Sequence, residues 1–256
     1  MLLDKYGPHL AFGVPGFLML VATIVFFMGR KVFVAVPPVG WKQYKGDLLS
    51  KQGKKAIINL SIMYVFIAVF WSLFDQTGSS WVLQAEQMDK FVNLGFVRFE
   101  LLASQIQAIN PLLIMIFIPL FTSVLYPFLN KFFKLTALKK IIIGMFIAGF
   151  SFAILAVAQM QIIGGATPSI LWQFFAYLIL TAAEVMVSIT GLEFSYTQAP
   201  NSMKSFIMGL WLLSVALGNF ITAQVTSHLQ DIIMIGTPVY FWFFAGLMFI
   251  TAIIFM

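Results

Sequence analysis

Residues 169–191 read SILWQFFAYLILTAAEVMVSITG, an apolar run with a single carboxylate, Glu184, set inside it. A hydrocarbon core about 30 Å thick takes roughly 20 residues of α-helix, so this segment predicts a transmembrane helix. Along it Tyr177, Thr181, Glu184, Ser188 and Gly191 recur at intervals of 4, 3, 4 and 3, which places them in one stripe. An ionised carboxylate at that depth costs about 3 kcal/mol on insertion scales, so it must be paired, hydrated or protonated. Two readings stand. Either a neutral, hydrogen-bonded acid locks two helices together, or the group faces a cavity where a substrate amine or a proton neutralises it.

The rest of the chain extends the membrane reading. Its 256 residues are 61% apolar, 16% aromatic and only 9% charged, whereas soluble chains carry about 25% charged residues. Apolar stretches fall near 10–28, 56–74, 108–129, 141–163, 169–191, 205–227 and 238–256. The expected fold is therefore all-α, a polytopic membrane bundle of about seven transmembrane helices, with no room for a large soluble domain. The chain has no cysteine, which excludes disulfides, thiolate metal sites and cysteine nucleophiles. Neither a catalytic nor a metal constellation is expected, because His9 and His228 stand alone near the outer ends of spans and no helix carries an intramembrane pair of acids.

Orientation follows from the cations. Arg30, Lys31, Lys42, Lys45, Lys51, Lys54 and Lys55 lie in one connection, Lys131, Lys134, Lys139 and Lys140 in a second, and Lys204 in a third. Twelve of the fifteen cations thus occupy alternate loops, and by the positive-inside rule those loops are cytoplasmic. The N-terminus is then outside and the C-terminus inside. The formal charge of +6 is topological and gives no reason to expect nucleic acid. A first span that begins outside with no cleavable leader points to the back part of a longer membrane protein.

Other spans carry polar or kinking residues. Trp211, Ser214, Gly218 and Thr222 form a stripe on the sixth; packing is the alternative to binding there. Trp71, Asp75 and Gly78 share a face at the end of the second, with Asp75 near the outer boundary either as a gate acid or as a solvated interfacial one. In the third, Pro111, Pro119 and Pro127 interrupt an apolar helix, and kinks are expected because proline removes a backbone donor. Asn110 either contacts substrate or joins two helices.

Four strings carry a resemblance: 70–78 (FWSLFDQTG), 110–112 (NPL), 191–200 (GLEFSYTQAP) and 209–213 (GLWLL). They closely resemble the proton-dependent oligopeptide transporters of the major facilitator superfamily, and Arg30–Lys31 is similar to the end of that family's sixth helix. The resemblance implies a major-facilitator C-terminal half. Residues 1–34 would be the last helix of an otherwise absent N-terminal bundle, 35–55 a basic cytoplasmic linker, and 56–256 a six-helix bundle.

It also implies roles. Glu184 and Asn110 resemble the residues that hold a peptide's amino terminus, and Trp71 and Trp211 the aromatic walls of side-chain pockets, with Ser214 beside them. Asp75 resembles a helix-seven acid paired with a first-helix arginine at the outer gate. Glu193 would serve the inner gate, an interfacial acid being the equal alternative. The implied activity is proton-coupled symport of di- and tripeptides by alternating access, not an enzymatic reaction, with protons as coupling ion and no cofactor. The implied partners are the peptides, the lipid bilayer and the missing bundle, and the implied location is the bacterial inner membrane. A non-transporting truncated or assembly protein is the rival. A retinal pigment is disfavoured because 238–256 contains no lysine.

Overall fold

The computed structural model describes residues 2–33, 40–93, 98–229 and 231–256. They divide into two compact units, Met1–Gly40 and Trp41–Met256, and seven helices among them are long and apolar enough to cross a membrane. The expected boundary between first helix and linker, at residues 34 and 35, lies outside the described residues.

The first unit is one helix, α1 (Leu2–Met28), ending in a 3-10 turn at Gly29–Lys31. Gly7 interrupts it at φ +77°. Pro8 follows, and a proline ring keeps its predecessor out of the α region; glycine takes the left-handed alternative without strain. The guanidinium of Arg30 sits 4.2 Å from the centroid of Phe27, a cation–π contact at the basic end of the span.

In the second unit the basic segment is itself partly helical, as α2 (Trp41–Leu49). Ser50 then stops one helix and starts the next, its hydroxyl accepting from the Gly53 amide at 2.9 Å at the head of α3 (Lys51–Phe74). A 3-10 turn (Asp75–Gly78) and α4 (Ser80–Glu86) continue the crossing beyond the apolar run. A short antiparallel ribbon of β1 (Phe91–Asn93) and β2 (Arg98–Glu100) follows. Backbone bonds between Asp89 and both Pro168 and Ile170, at 3.0 and 2.9 Å, tie this connection to the start of the fifth span.

The third crossing runs through a 3-10 turn (Ala103–Ala108), α5 (Ile109–Leu120), a π-helical turn (Phe121–Leu125) and α6 (Tyr126–Asn130). The kinks expected from Pro119 and Pro127 take the form of that π turn. Its wider loop lies where the Pro127 ring would clash with the carbonyl four residues back. Next come α7 (Ala137–Ile163), capped by Thr136, and α8 (Leu171–Glu184). A second π turn (Val185–Ile189) leads into α9 (Thr190–Gln198). The chain closes with α10 (Lys204–His228) and α11 (Pro238–Phe255), the latter capped by Thr237 with proline in its first turn.

Helix α7 packs on α8 and α11, α3 on α10, and α5 on α8. Lipid tails are as apolar as leucine, so close packing and interhelical hydrogen bonds, rather than exclusion of water, hold such a bundle. Gly144 shows the first: a Cβ there would lie 2.7 Å from Val187 Cγ2 on the π turn of the fifth span. A chain of glutamines shows the second. Gln84 donates to the Leu155 carbonyl (2.9 Å) and Gln159 (2.8 Å), Gln159 to the Gly236 carbonyl (2.7 Å), and Gln173 to the Trp81 carbonyl (2.7 Å) and Gln84 (3.2 Å). At about 0.6 kcal/mol per interhelical bond, the four that join α4 to α7 and α8 stabilise their packing by ~2 kcal/mol.

Candidate functional site

Glu184 ends α8, at the point where the helix widens into its π turn. Its Oε2 accepts from Asn110 Nδ2 at 2.8 Å, and the same amide nitrogen donates to Thr181 Oγ1 at 3.0 Å. Thr181 and Glu184 are neighbours on the stripe seen in the sequence, one turn apart, so Asn110 spans that turn from the head of α5. Pro111 suits this position, because the first turn of a helix has no use for its missing N–H. Asn110 and Glu184 are half-buried and Thr181 is buried. Among the described residues the second oxygen of Glu184 accepts no hydrogen bond, which leaves it for an incoming donor.

Tyr177, in the same stripe, is spent on packing. It is buried against Trp81, ring centroids 4.6 Å apart, and its hydroxyl donates to the Thr77 carbonyl at 3.2 Å. Gly191 serves a neighbour. A Cβ there would lie 3.1 Å from the Trp211 ring, so the absent side chain admits the indole of α10.

Trp71 and Trp211 do meet, edge to face, with centroids 6.3 Å apart. Trp211 is 5% exposed and also packs edge-on against Tyr64 at 5.6 Å; Trp71 is half-buried, packs on Phe74 at 5.5 Å, and keeps a buried indole N–H with no acceptor among the described residues. Ser214 stands beside this wall but is buried, its hydroxyl donating to the Trp211 carbonyl at 2.6 Å. Packing and binding readings therefore divide: Trp211 and Ser214 are largely enclosed, and Trp71 offers the free donor.

Asp75 lies at the end of α3, half-buried, and accepts from Asn219 Nδ2 at 2.6 Å. Asn219 was missed in the sequence, although it follows Gly218 on the polar stripe of α10 and could have been found there. Gly218 brings the two helices together: a Cβ on it would collide with the Ala68 carbonyl and lie 2.8 Å from the Ser72 nitrogen. Thr222 bonds the Ser72 carbonyl across the same seam at 2.9 Å. Glu193 is not part of this group; it is exposed on α9 and borders a different cavity.

The structure thus joins Glu184, Asn110 and Thr181 in one cluster and Trp71 with Trp211 in a second. It gives Asp75 a partner on α10 and leaves Glu193 apart. What the first cluster offers chemically is a carboxylate held by a neutral amide inside a membrane span, suited to a cation or a proton.

The chain is 35% identical over 233 residues to "Solute carrier family 15 member 2" of Homo sapiens, covering 77% of this chain and 31% of the relative. It is 31% identical over 198 residues to "Peptide transporter PTR2" of Saccharomyces cerevisiae, covering 72% and 31%. Among solved structures, "Crystal structure of auto inhibited POT family peptide transporter" superposes at a TM-score of 0.81 with 28% identity, over 99% of this chain and 64% of that one. A second, "Crystal structure of a proton dependent oligopeptide (POT) family transporter", gives 0.72 with 32% identity, over 100% and 65%. The chain spans about a third of the length of these curated relatives. The POT family model matches residues 42–243, most of the second unit with all its site residues, and the chain belongs to the POT family.

Proposed function

We propose that this chain is part of a proton-coupled di- and tripeptide transporter that works by alternating access, supplying the site for the peptide amino terminus and half of each gate. The observation that carries the reading is Glu184, an acid inside a membrane span, held by Asn110 with one oxygen left open. A peptide ammonium can donate to that oxygen while Asn110, itself held by Thr181, keeps the carboxylate in place, and Trp71 is read as bordering the space for a side chain, with the enclosed Trp211 packed edge-on against it. Residues 1–34 are read as the last helix of an N-terminal bundle, 35–55 as a cytoplasmic linker and 56–256 as the C-terminal bundle. Rocking of the two bundles exposes the site alternately to each side. Protons are the coupling ion, with no resident cofactor.

Asp75 is read as an outer-gate acid whose protonation weakens the closed gate, and Glu193 as the inner counterpart. Their work depends on the site and gates sensing one another. The membrane is read as a bacterial inner membrane with the basic loops cytoplasmic.

The test is Glu184→Gln in a complete two-bundle transporter. Affinity for dialanine should fall at least tenfold, with little change for N-acetylated dialanine, measured as competition against labelled substrate. Equal losses for both peptides would make Glu184 a structural acid and sink the proposal.

A further inference from the structure

We propose a second site in this bundle, a groove between α6 and α9 that binds a small zwitterion, its ammonium beside Glu193 and its anionic oxygen beside Lys140. The groove has a volume of about 360 Å³, and its lining includes Thr122, Tyr126, Asn130, Lys140, Thr190 and Glu193. Small-molecule pockets start at about 300 Å³, so a dipeptide or a lipid headgroup fits. Glu193 follows Glu184 by nine positions, roughly 13 Å along a helix axis, which separates this groove from the Glu184–Asn110 cluster.

Three features point to a dipolar ligand. The Lys140 ammonium lies 3.9 Å from the centroid of the Tyr126 ring, held over an aromatic face. Among the described residues no ion pair joins it to Glu193, so two opposite charges line one cavity without neutralising each other. Tyr126 is 9% exposed, and among the described residues no partner meets its buried hydroxyl in good hydrogen-bond geometry, Thr190 being the nearby side chain. Both π turns meet here, in a small cluster of Phe121, Tyr126, Leu135, Val185 and Met186, and π turns recur at functional sites.

The ligand chemistry has two sources. One is a free peptide, which rests on the transport reading; the other is a phosphatidylethanolamine headgroup, which does not. Both carry an ammonium and an anionic oxygen a few ångströms apart.

The test uses this chain, with ¹³Cζ-labelled tyrosine, in nanodiscs. Tyr126→Phe identifies the Tyr126 resonance. In phosphatidylcholine discs, dialanine should shift that resonance saturably, while uncharged N-acetyl-alanine amide should not. Glu193→Gln and Lys140→Gln should each weaken the response about tenfold, Lys140→Arg should restore it, and Glu184→Gln should leave it unchanged. In discs containing phosphatidylethanolamine, a shift present before any peptide is added would make the headgroup an occupant. No shift with either ligand would overturn the proposal, as would a shift that survives both Glu193→Gln and Lys140→Gln, or one lost with Glu184→Gln. If the transport reading alone fails, the Tyr126 response persists while Glu184→Gln loses its preference for free amino termini.

Discussion

Asn110 uses one nitrogen for two acceptors, Glu184 and Thr181, and so fixes the carboxylate without neutralising it. That distinguishes it from a basic partner, which would occupy the charge that the proposed substrate ammonium needs. Asp75 is held on the same principle, by the neutral amide of Asn219. A hydrogen bond to a charged group is worth about 1.5–3 kcal/mol, enough to set a side-chain position and weak enough for the proposed gate partner to replace. In the full transporter, Asp75→Asn is therefore expected to lower proton-driven uptake at least tenfold while leaving counterflow within about twofold. Equal loss in both assays would return Asp75 to the role of a packing residue.

Between helices, the same residues depend on missing side chains. Gly218 lets α10 lie against the backbone of α3, which places Asn219 opposite Asp75, and Gly191 makes room for the Trp211 ring. Gly218→Leu should overpack this seam at a cost of about 1–3 kcal/mol. Thermal unfolding in detergent, followed by tryptophan fluorescence, should shift down by several degrees; an unchanged transition would mean that the seam is not closed in the protein. The π turns do comparable work in the third and fifth crossings. Each lies directly before the short helix that lines the Lys140–Glu193 groove, α6 and α9.

At the scale of the molecule, the family and the charge pattern raise two questions that one protein preparation can answer. The chain contains no cysteine, so single cysteines can be introduced without background. A cysteine replacing Lys134 should react with a membrane-impermeant thiol reagent only from the cytoplasmic side, and one replacing Gln87 only from outside; the reverse pattern would invert the assigned orientation. Because alternating access needs two bundles moving against each other, proteoliposomes of this chain alone should show no dialanine uptake driven by a pH gradient. Robust uptake would remove the need for a partner bundle.

Much of this was legible before any coordinates. Seven apolar runs, the alternation of basic loops and the stripe through Glu184 are one-dimensional patterns, because a bilayer imposes length, composition and helical period on every crossing. The strings around Trp71, Asn110, Glu193 and Trp211 identified the family for the same reason: they are contiguous in the chain. The pairings were not contiguous. That Asn110 meets Glu184, that Asp75 meets Asn219, and that Tyr177 and Ser214 are spent on structure depends on which helix faces which. The widened turns beside the Lys140–Glu193 groove were equally hidden, since a π turn differs from its neighbours by hydrogen-bond register and not by any residue type. Sequence by itself determined the membrane, the spans and the chemistry available within them; only the tertiary packing decided which polar groups are satisfied and which remain open to a ligand, because burial and hydrogen bonding are properties of pairs of segments and not of either one alone.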